Sequence, residues 1–147
     1  MHSGKWFAGA AVAALLGVAS AGLAQAAEID NVTLQEKNGM FAIDVAQKDL
    51  KAGKVTFDVI NKGADMQHEM IVVQLTPQQA ADPTSLPYNE NSATVDEEKI
   101  NDRGEVSELD PGKEGSLTLD LQPGDYMLLC NVPGHYKAGM YTIIHVS

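Results

Sequence analysis

From residue 32 onward, apolar and polar residues alternate in short runs. Val32 and Leu34 alternate with polar neighbours, Phe41, Ile43 and Val45 share one face against Asp44, and Val55, Phe57 and Val59 do so against Lys54, Thr56 and Asp58. Leu117, Leu119 and Leu121 repeat the pattern against Ser116, Thr118 and Asp120. A period of two sends successive side chains to opposite faces of a half-buried strand. Met70-Ile71-Val72-Val73 is instead continuously apolar, which predicts a strand covered on both faces. Tyr126 to Cys130 and Met140 to Val146 complete the series. Turn residues fall between the runs: Asn38-Gly39, the pair favoured in tight hairpins, then Gly53, Asn61-Lys62-Gly63, Pro111-Gly112, Pro123-Gly124 and Pro133-Gly134. Short strands with such punctuation predict an all-β antiparallel sandwich or barrel.

One stretch breaks the rhythm. Residues 76–110 are polar and acidic and include Pro77, Pro83 and Pro87. They read as one long connection carrying a short helix from Thr94 to Ile100, with Thr94 as cap and Glu97 at capping-box spacing. The plain reading is a solvated acidic insertion. The functional readings are a docking surface or a flap over a site.

The N-terminal residues follow different rules. Lys5 precedes an apolar stretch from Trp6 to about Ala24, and Ala24-Gln25-Ala26 supplies a small-x-small cleavage pattern. This predicts a secretory signal over residues 1–26 and a domain over residues 27–147. The competing reading is an uncleaved anchor, but the stretch is diluted by Gly and Ser and is barely long enough to span a bilayer. No twin arginine is present, so the general secretory route and a periplasmic destination are expected. A length of 147 residues fits one ordinary domain.

Composition narrows the partners. Ten Lys and Arg face 20 Asp and Glu, for a formal net charge of −10. That balance argues against nucleic acid and against docking on anionic lipid, and it favours a partner with a basic face. There is one cysteine, which rules out an intrachain disulfide, zinc ribbons, iron–sulfur clusters and Cys-x-x-Cys redox chemistry.

That cysteine opens the segment Cys130-Asn131-Val132-Pro133-Gly134-His135-Tyr136-Lys137-Ala138-Gly139-Met140. Four residues separate Cys130 from His135, and four separate His135 from Met140. The cysteine ends one strand run and the methionine opens the next, so a Pro- and Gly-rich loop can fold back and bring the three together. His68 begins a strand run elsewhere and can reach the same pole of a sandwich. Two imidazoles, a thiolate and a weak thioether suit copper that alternates between two oxidation states, because thiolate and thioether favour Cu(I) while imidazole tolerates both states. Singly, each residue has a bland reading: a buried structural thiol, a loop histidine, a core methionine. Their joint spacing and strand context favour the metal.

On this loop, and on Leu121-Gln122-Pro123-Gly124-Asp125-Tyr126-Met127-Leu128-Leu129-Cys130 before it, the chain resembles the cupredoxins, the small blue copper proteins. The Cys-x4-His-x4-Met spacing is similar to azurin or rusticyanin more than to plastocyanin. The resemblance spans about Ile29 to Ser147 and implies a Greek-key β-sandwich of about seven or eight strands. It implies one type 1 copper with His68, Cys130 and His135 as equatorial ligands and Met140 as axial ligand. A weak carbonyl contact from Gln67 is also implied. Electrons are expected to leave through an exposed edge of His135, ringed by small or apolar residues such as Pro133, Gly134 and Ala138. One departure stands out: many members carry asparagine after the first histidine, where this chain has Glu69. Asn61 or Asn131 then has to tie the ligand loops together, or the site is looser.

These readings define the expected function: a periplasmic, monomeric one-electron carrier, not an enzyme. Its expected partner is a redox protein with a basic face, such as a c-type cytochrome or a terminal reductase or oxidase. The alternative is copper buffering or delivery, suggested by Met66 and Met70 around His68. The plain reading of that pair puts Met70 in the core and Met66 at the site rim. Tyr136 and Lys137 beside His135 read either as docking residues or as ordinary exposed loop. His145 lies in the last strand on the face opposite Met140 and is expected to be a surface or packing residue. A copper enzyme needs a second site built from further histidines, and His145 is the only one left in residues 27–147.

Overall fold

The computed structural model describes residues 26–147, and the expected export signal, but for its last residue, lies outside the described residues. β1 (Glu28–Lys37) and β2 (Met40–Val45) form an antiparallel hairpin. Its turn places Asn38 at φ 54° and Gly39 at φ 75°, the left-handed pair that a two-residue hairpin of this twist requires. β3 (Asp49–Leu50) is a short edge piece. β4 (Gly53–Asn61) runs parallel to β1, and β5 (His68–Gln74) crosses to the other sheet. After an excursion come β8 (Asp102–Leu109), β9 (Glu114–Leu121), β10 (Gly124–Leu129) and β11 (Tyr141–Val146). The excursion itself holds a one-turn helix α1 (Pro77–Ala81) and a two-stranded ribbon, β6 (Tyr88–Asn89) with β7 (Thr94–Val95).

The strands order as β2-β1-β4-β9 in one sheet and β3-β11-β10-β5-β8 in the other. Eight of them have six or more residues, and the all-β sandwich of a cupredoxin is the observed fold. The inward sides of both sheets enclose the main core, built on Leu34, Phe57, Met70, Tyr126, Leu128 and Ile144. β5 and β10 are buried on both faces, as the apolar run Met70–Val73 demands. Their outer faces meet a second apolar cluster in which Ile71, Val73, Met127 and Leu129 pack on Leu86, Val95 and Tyr136.

That second cluster corrects the reading of residues 76–110. The connection ends at residue 101, because Asp102–Leu109 pairs with β5 as an edge strand. Only Val106 on it is buried, so charge hides its strand character, as it does on many edges. The expected helix from Thr94 to Ile100 is also absent. Thr94 and Val95 are extended, and only a 3₁₀ turn, Glu97–Lys99, follows, with no side-chain cap from Asp96. Val95 is 2% exposed, and its burial in the second cluster outweighs the local capping signal. The capping box sits instead at Thr76 and Gln79, with Pro77 opening α1.

Candidate metal centre

His68 opens β5, Cys130 directly follows β10, and Met140 directly precedes β11. β5 and β10 are hydrogen-bonded neighbours, as are β10 and β11, so all these residues emerge at one pole of the five-stranded sheet. The loop between Cys130 and Met140 closes on itself. Cys130 N donates to Met140 O (3.0 Å), Met140 N to His135 O (3.0 Å) and His135 N to Val132 O (3.0 Å). Gly134 and Gly139 take φ 86° and 94°, values that side chains with a Cβ resist.

Donor atoms of His68, Cys130 and His135 lie within 4.8 Å of one another, and all three residues are buried. The two Nδ1 atoms are 3.3 Å apart. Cys130 Sγ lies 3.4 Å from His135 Nδ1 and 3.9 Å from His68 Nδ1. Two ring nitrogens and a sulfur thus point at one spot, a pattern that a shared cation satisfies better than any assignment of protons. Met140 is fully buried in the main core. Gln67 sits on the rim, where its Nε2 donates to Asp110 Oδ1 (2.7 Å).

The electrostatics suit a soft metal. Burial, reinforced by the facing His135, pushes His68 down to about 4, and burial also holds His135 below its ordinary value. Both imidazoles are therefore neutral ligands at neutral pH. Burial pushes the Cys130 thiol up to about 11, opposed by the backbone N–H groups of Glu69 and Val132 directed at the sulfur. Those two amides supply the charge-assisted hydrogen bonds that a bound thiolate accepts.

Glu69 resolves the departure noted in the sequence. It is buried, and burial together with Glu108, Glu105 and Glu97 raises its carboxyl to about 7. The Asn131 backbone N–H faces that carboxyl, so Glu69 itself links the two ligand-bearing segments. Asn61 and Asn131 have other duties. Asn61 Nδ2 donates to Met66 O (2.8 Å) and Leu109 O (2.7 Å), and its Oδ1 accepts from Gly63 N (2.8 Å), which shapes the approach to His68. The Asn131 side chain reaches into the excursion, to Val95 and Glu97.

The expected exposed edge of His135 is nearly closed: the residue is 6% exposed. Phe41, carried by the β1–β2 hairpin, stacks on the imidazole with centroids 4.2 Å apart and also packs edge-on against His68 at 6.0 Å. Pro133, Ala138 and Gly139 form an exposed rim of small residues beside it. Phe41 was legible only as a strand residue, because the contact depends on how the hairpin folds over the pole. Tyr136 is buried rather than a docking residue, while Lys137 is exposed, with its Nζ 4.7 Å from the Tyr88 ring centroid. Met70 lies in the core and Met66 is 38% exposed. His145 is exposed and meets Asp125 at 2.9 Å, away from the ligand cluster.

Together the sandwich and the buried two-nitrogen, one-sulfur cluster define a small copper protein of the type 1 class. The sequence matches the copper-binding plastocyanin/azurin family over residues 30–147, and the chain belongs to that family. No curated protein matches it. Among solved structures it is similar to auracyanin A, a "blue" copper protein of the green thermophilic photosynthetic bacterium Chloroflexus aurantiacus. That likeness has 25% identity and a TM-score of 0.56, over 81% of this chain and 99% of that one. Rusticyanin from Thiobacillus ferrooxidans shares the fold at 19% identity and a TM-score of 0.58, covering 83% and 79% respectively. An azurin from Methylomonas sp. strain J does so at 14% identity and a TM-score of 0.55, covering 83% and 99%. Proteins of this family bind copper and carry electrons.

Proposed function

We propose that the protein is an exported, periplasmic one-electron carrier. His68, Cys130, His135 and Met140 would hold the metal, with the Gln67 carbonyl as a further weak contact. The observation that carries this reading is the buried cluster of two Nδ1 atoms and one Sγ at a pole fixed by three adjacent strands. Bound copper supplies one-electron exchange between Cu(I) and Cu(II). The chain's own residues keep the donors neutral or hydrogen-bonded, exclude water and limit movement. Phe41 and the rim at Pro133 and Ala138 give a partner a close approach to His135.

The partner we propose has a basic face, such as a c-type cytochrome or a terminal reductase or oxidase. Supporting it are the net charge of −10 and the carboxylates of Glu97, Glu105 and Glu108 near Glu69, beside the ligand pole. The test is a visible spectrum of the Cu(II) form before and after ascorbate, followed by stopped-flow electron exchange with a basic cytochrome at several salt concentrations. An intense band that bleaches, with a rate that falls as salt rises, is expected. Copper bound without that band, or no exchange at low salt, would sink the proposal.

Copper buffering or delivery is the second reading. The exposed thioethers of Met40 and Met66, at 67% and 38%, favour it. It predicts more than one copper per chain and transfer of Cu(I) to an acceptor.

A further inference from the structure

The excursion over residues 75–101 contains two short strands and one turn each of α and 3₁₀ helix, yet it touches the ligand loop at three separate places. Asn131, next to Cys130, is 5% exposed and spends its side-chain amide entirely on the excursion. Its Oδ1 accepts from Val95 N (2.6 Å), and its Nδ2 donates to Val95 O (3.1 Å) and to Glu97 Oε1 (2.7 Å). The orientation of the amide is fixed, because a flipped one would set oxygen against oxygen and donor against donor. Gly134, next to His135, donates its N–H to Ala93 O (2.7 Å). Ala93 holds φ 57°, a left-handed conformation that a residue with a Cβ adopts at a cost. Tyr136, on the other side of His135, donates its hydroxyl to Pro83 O (2.6 Å) and is 2% exposed between Tyr88 and Tyr141.

We infer that the excursion is a brace for the metal loop, with Asn131 as its positioning residue. The immediate neighbours of Cys130 and His135 are held from outside, on the side away from the main core. The loop has little stiffness of its own, since it contains Pro133, Gly134, Ala138 and Gly139. The Leu86 and Val95 side chains anchor the brace in the second apolar cluster, so it is fixed to the sheet that carries the ligands. The braced donors are in place before metal arrives and stay in place when the charge on it changes. This matters to an electron carrier and so rests on that reading, but the brace itself is measurable without copper.

The test is amide hydrogen exchange in the copper-free and copper-loaded protein, alongside electron self-exchange of the loaded form. Copper-free wild type is expected to protect the Gly134 and Val95 amides nearly as well as the loaded form does. Asn131→Ala is expected to lower Gly134 protection roughly tenfold or more, the effect of about one net hydrogen bond, while Met127 and Leu128 in β10 keep theirs. Gly134 does not bond Asn131, so its loss reports loosening of the loop rather than a deleted contact. Self-exchange of the loaded variant is expected to slow severalfold. Tyr136→Phe removes the hydroxyl that donates to Pro83 O and faces the Leu86 backbone N–H, and gives a smaller loss of the same kind, which keeps the test open if the first variant folds poorly. Gly134 protection that arises only on adding copper, or that neither variant changes, overturns the brace. Lost protection with unaltered self-exchange overturns the positioning role and leaves the carrier proposal standing.

Discussion

Replacing Asn61 with alanine removes three hydrogen bonds from a residue that is fully buried. Met66 O and Leu109 O lose their donor, and Gly63 N loses its acceptor. At about 1 kcal/mol net per bond, the expected loss is about 3 kcal/mol. For a domain of this size that corresponds to a fall in Tm of roughly 12 °C. Asn61→Asp separates geometry from charge. It keeps an acceptor for Gly63 N but sets a carboxylate against two carbonyl oxygens, so at pH 7 it is expected to be less stable than the alanine variant. Acidification protonates the aspartate and narrows that gap. The assay is urea unfolding of the copper-free protein followed by circular dichroism, since bound metal would add its own linkage to the midpoint. An unchanged m-value with a lower midpoint is expected. A loss under about 1 kcal/mol for the alanine variant, or wild-type stability for the aspartate at pH 7, would refute the claim that this amide ties the segment before His68 to β8.

Three further outcomes follow from the same structure. A Cβ at Gly63 would lie 2.9 Å from Asn61 Oδ1 and 3.1 Å from His68 Nε2, so Gly63→Ala is expected to displace the imidazole and weaken Cu(I) retention against a chromogenic chelator. Asp30 is fully buried, with Oδ1 accepting from Gln47 N (3.0 Å), and burial raises its carboxyl above the ordinary value. Its folded form therefore binds the proton more tightly, and its charge costs stability at every pH above the unfolded value of about 4. Asp30→Asn is expected to unfold at a higher temperature than wild type at pH 7 to 8, with the advantage shrinking as pH falls toward that value; an advantage that stayed constant from neutral pH down to about 4 would contradict it. Phe41→Ala uncovers His135; half of a buried Phe-to-Ala loss, about 2 kcal/mol, is expected in stability, together with a shifted reduction potential by voltammetry as water reaches the site.

The legible parts of the chain share one property: their signal is local. Alternation at Val55, Phe57 and Val59 and the Asn38-Gly39 turn each depend on neighbours in sequence, and they appear where expected. Cys130 and His135 were readable because one loop carries them, and His68 because β5 begins with it. The misreadings are places where a distant partner decided the outcome. Val95 is drawn into the second cluster and Asn131 claims its backbone, so the capping signal at Thr94 loses. The edge strand Asp102–Leu109 looks like loop because one of its faces is charged and Val106 alone is buried. Glu69 looks like a weakness in the sequence because its partner, the backbone N–H of Asn131, lies far along the chain.

The two sheets differ in how many of their faces are occupied. The four-stranded sheet buries only one side, and Lys54, Thr56, Asp58, Ser116, Thr118 and Asp120 line the other. The sheet that carries the ligands has no such spare side along β5 and β10. Any alteration meant to leave the metal undisturbed therefore belongs on the former. A tether placed at Thr56 or Thr118 would fix the protein to an electrode through its inert back, and charge could be rewritten there to tune solubility without reaching the ligand pole.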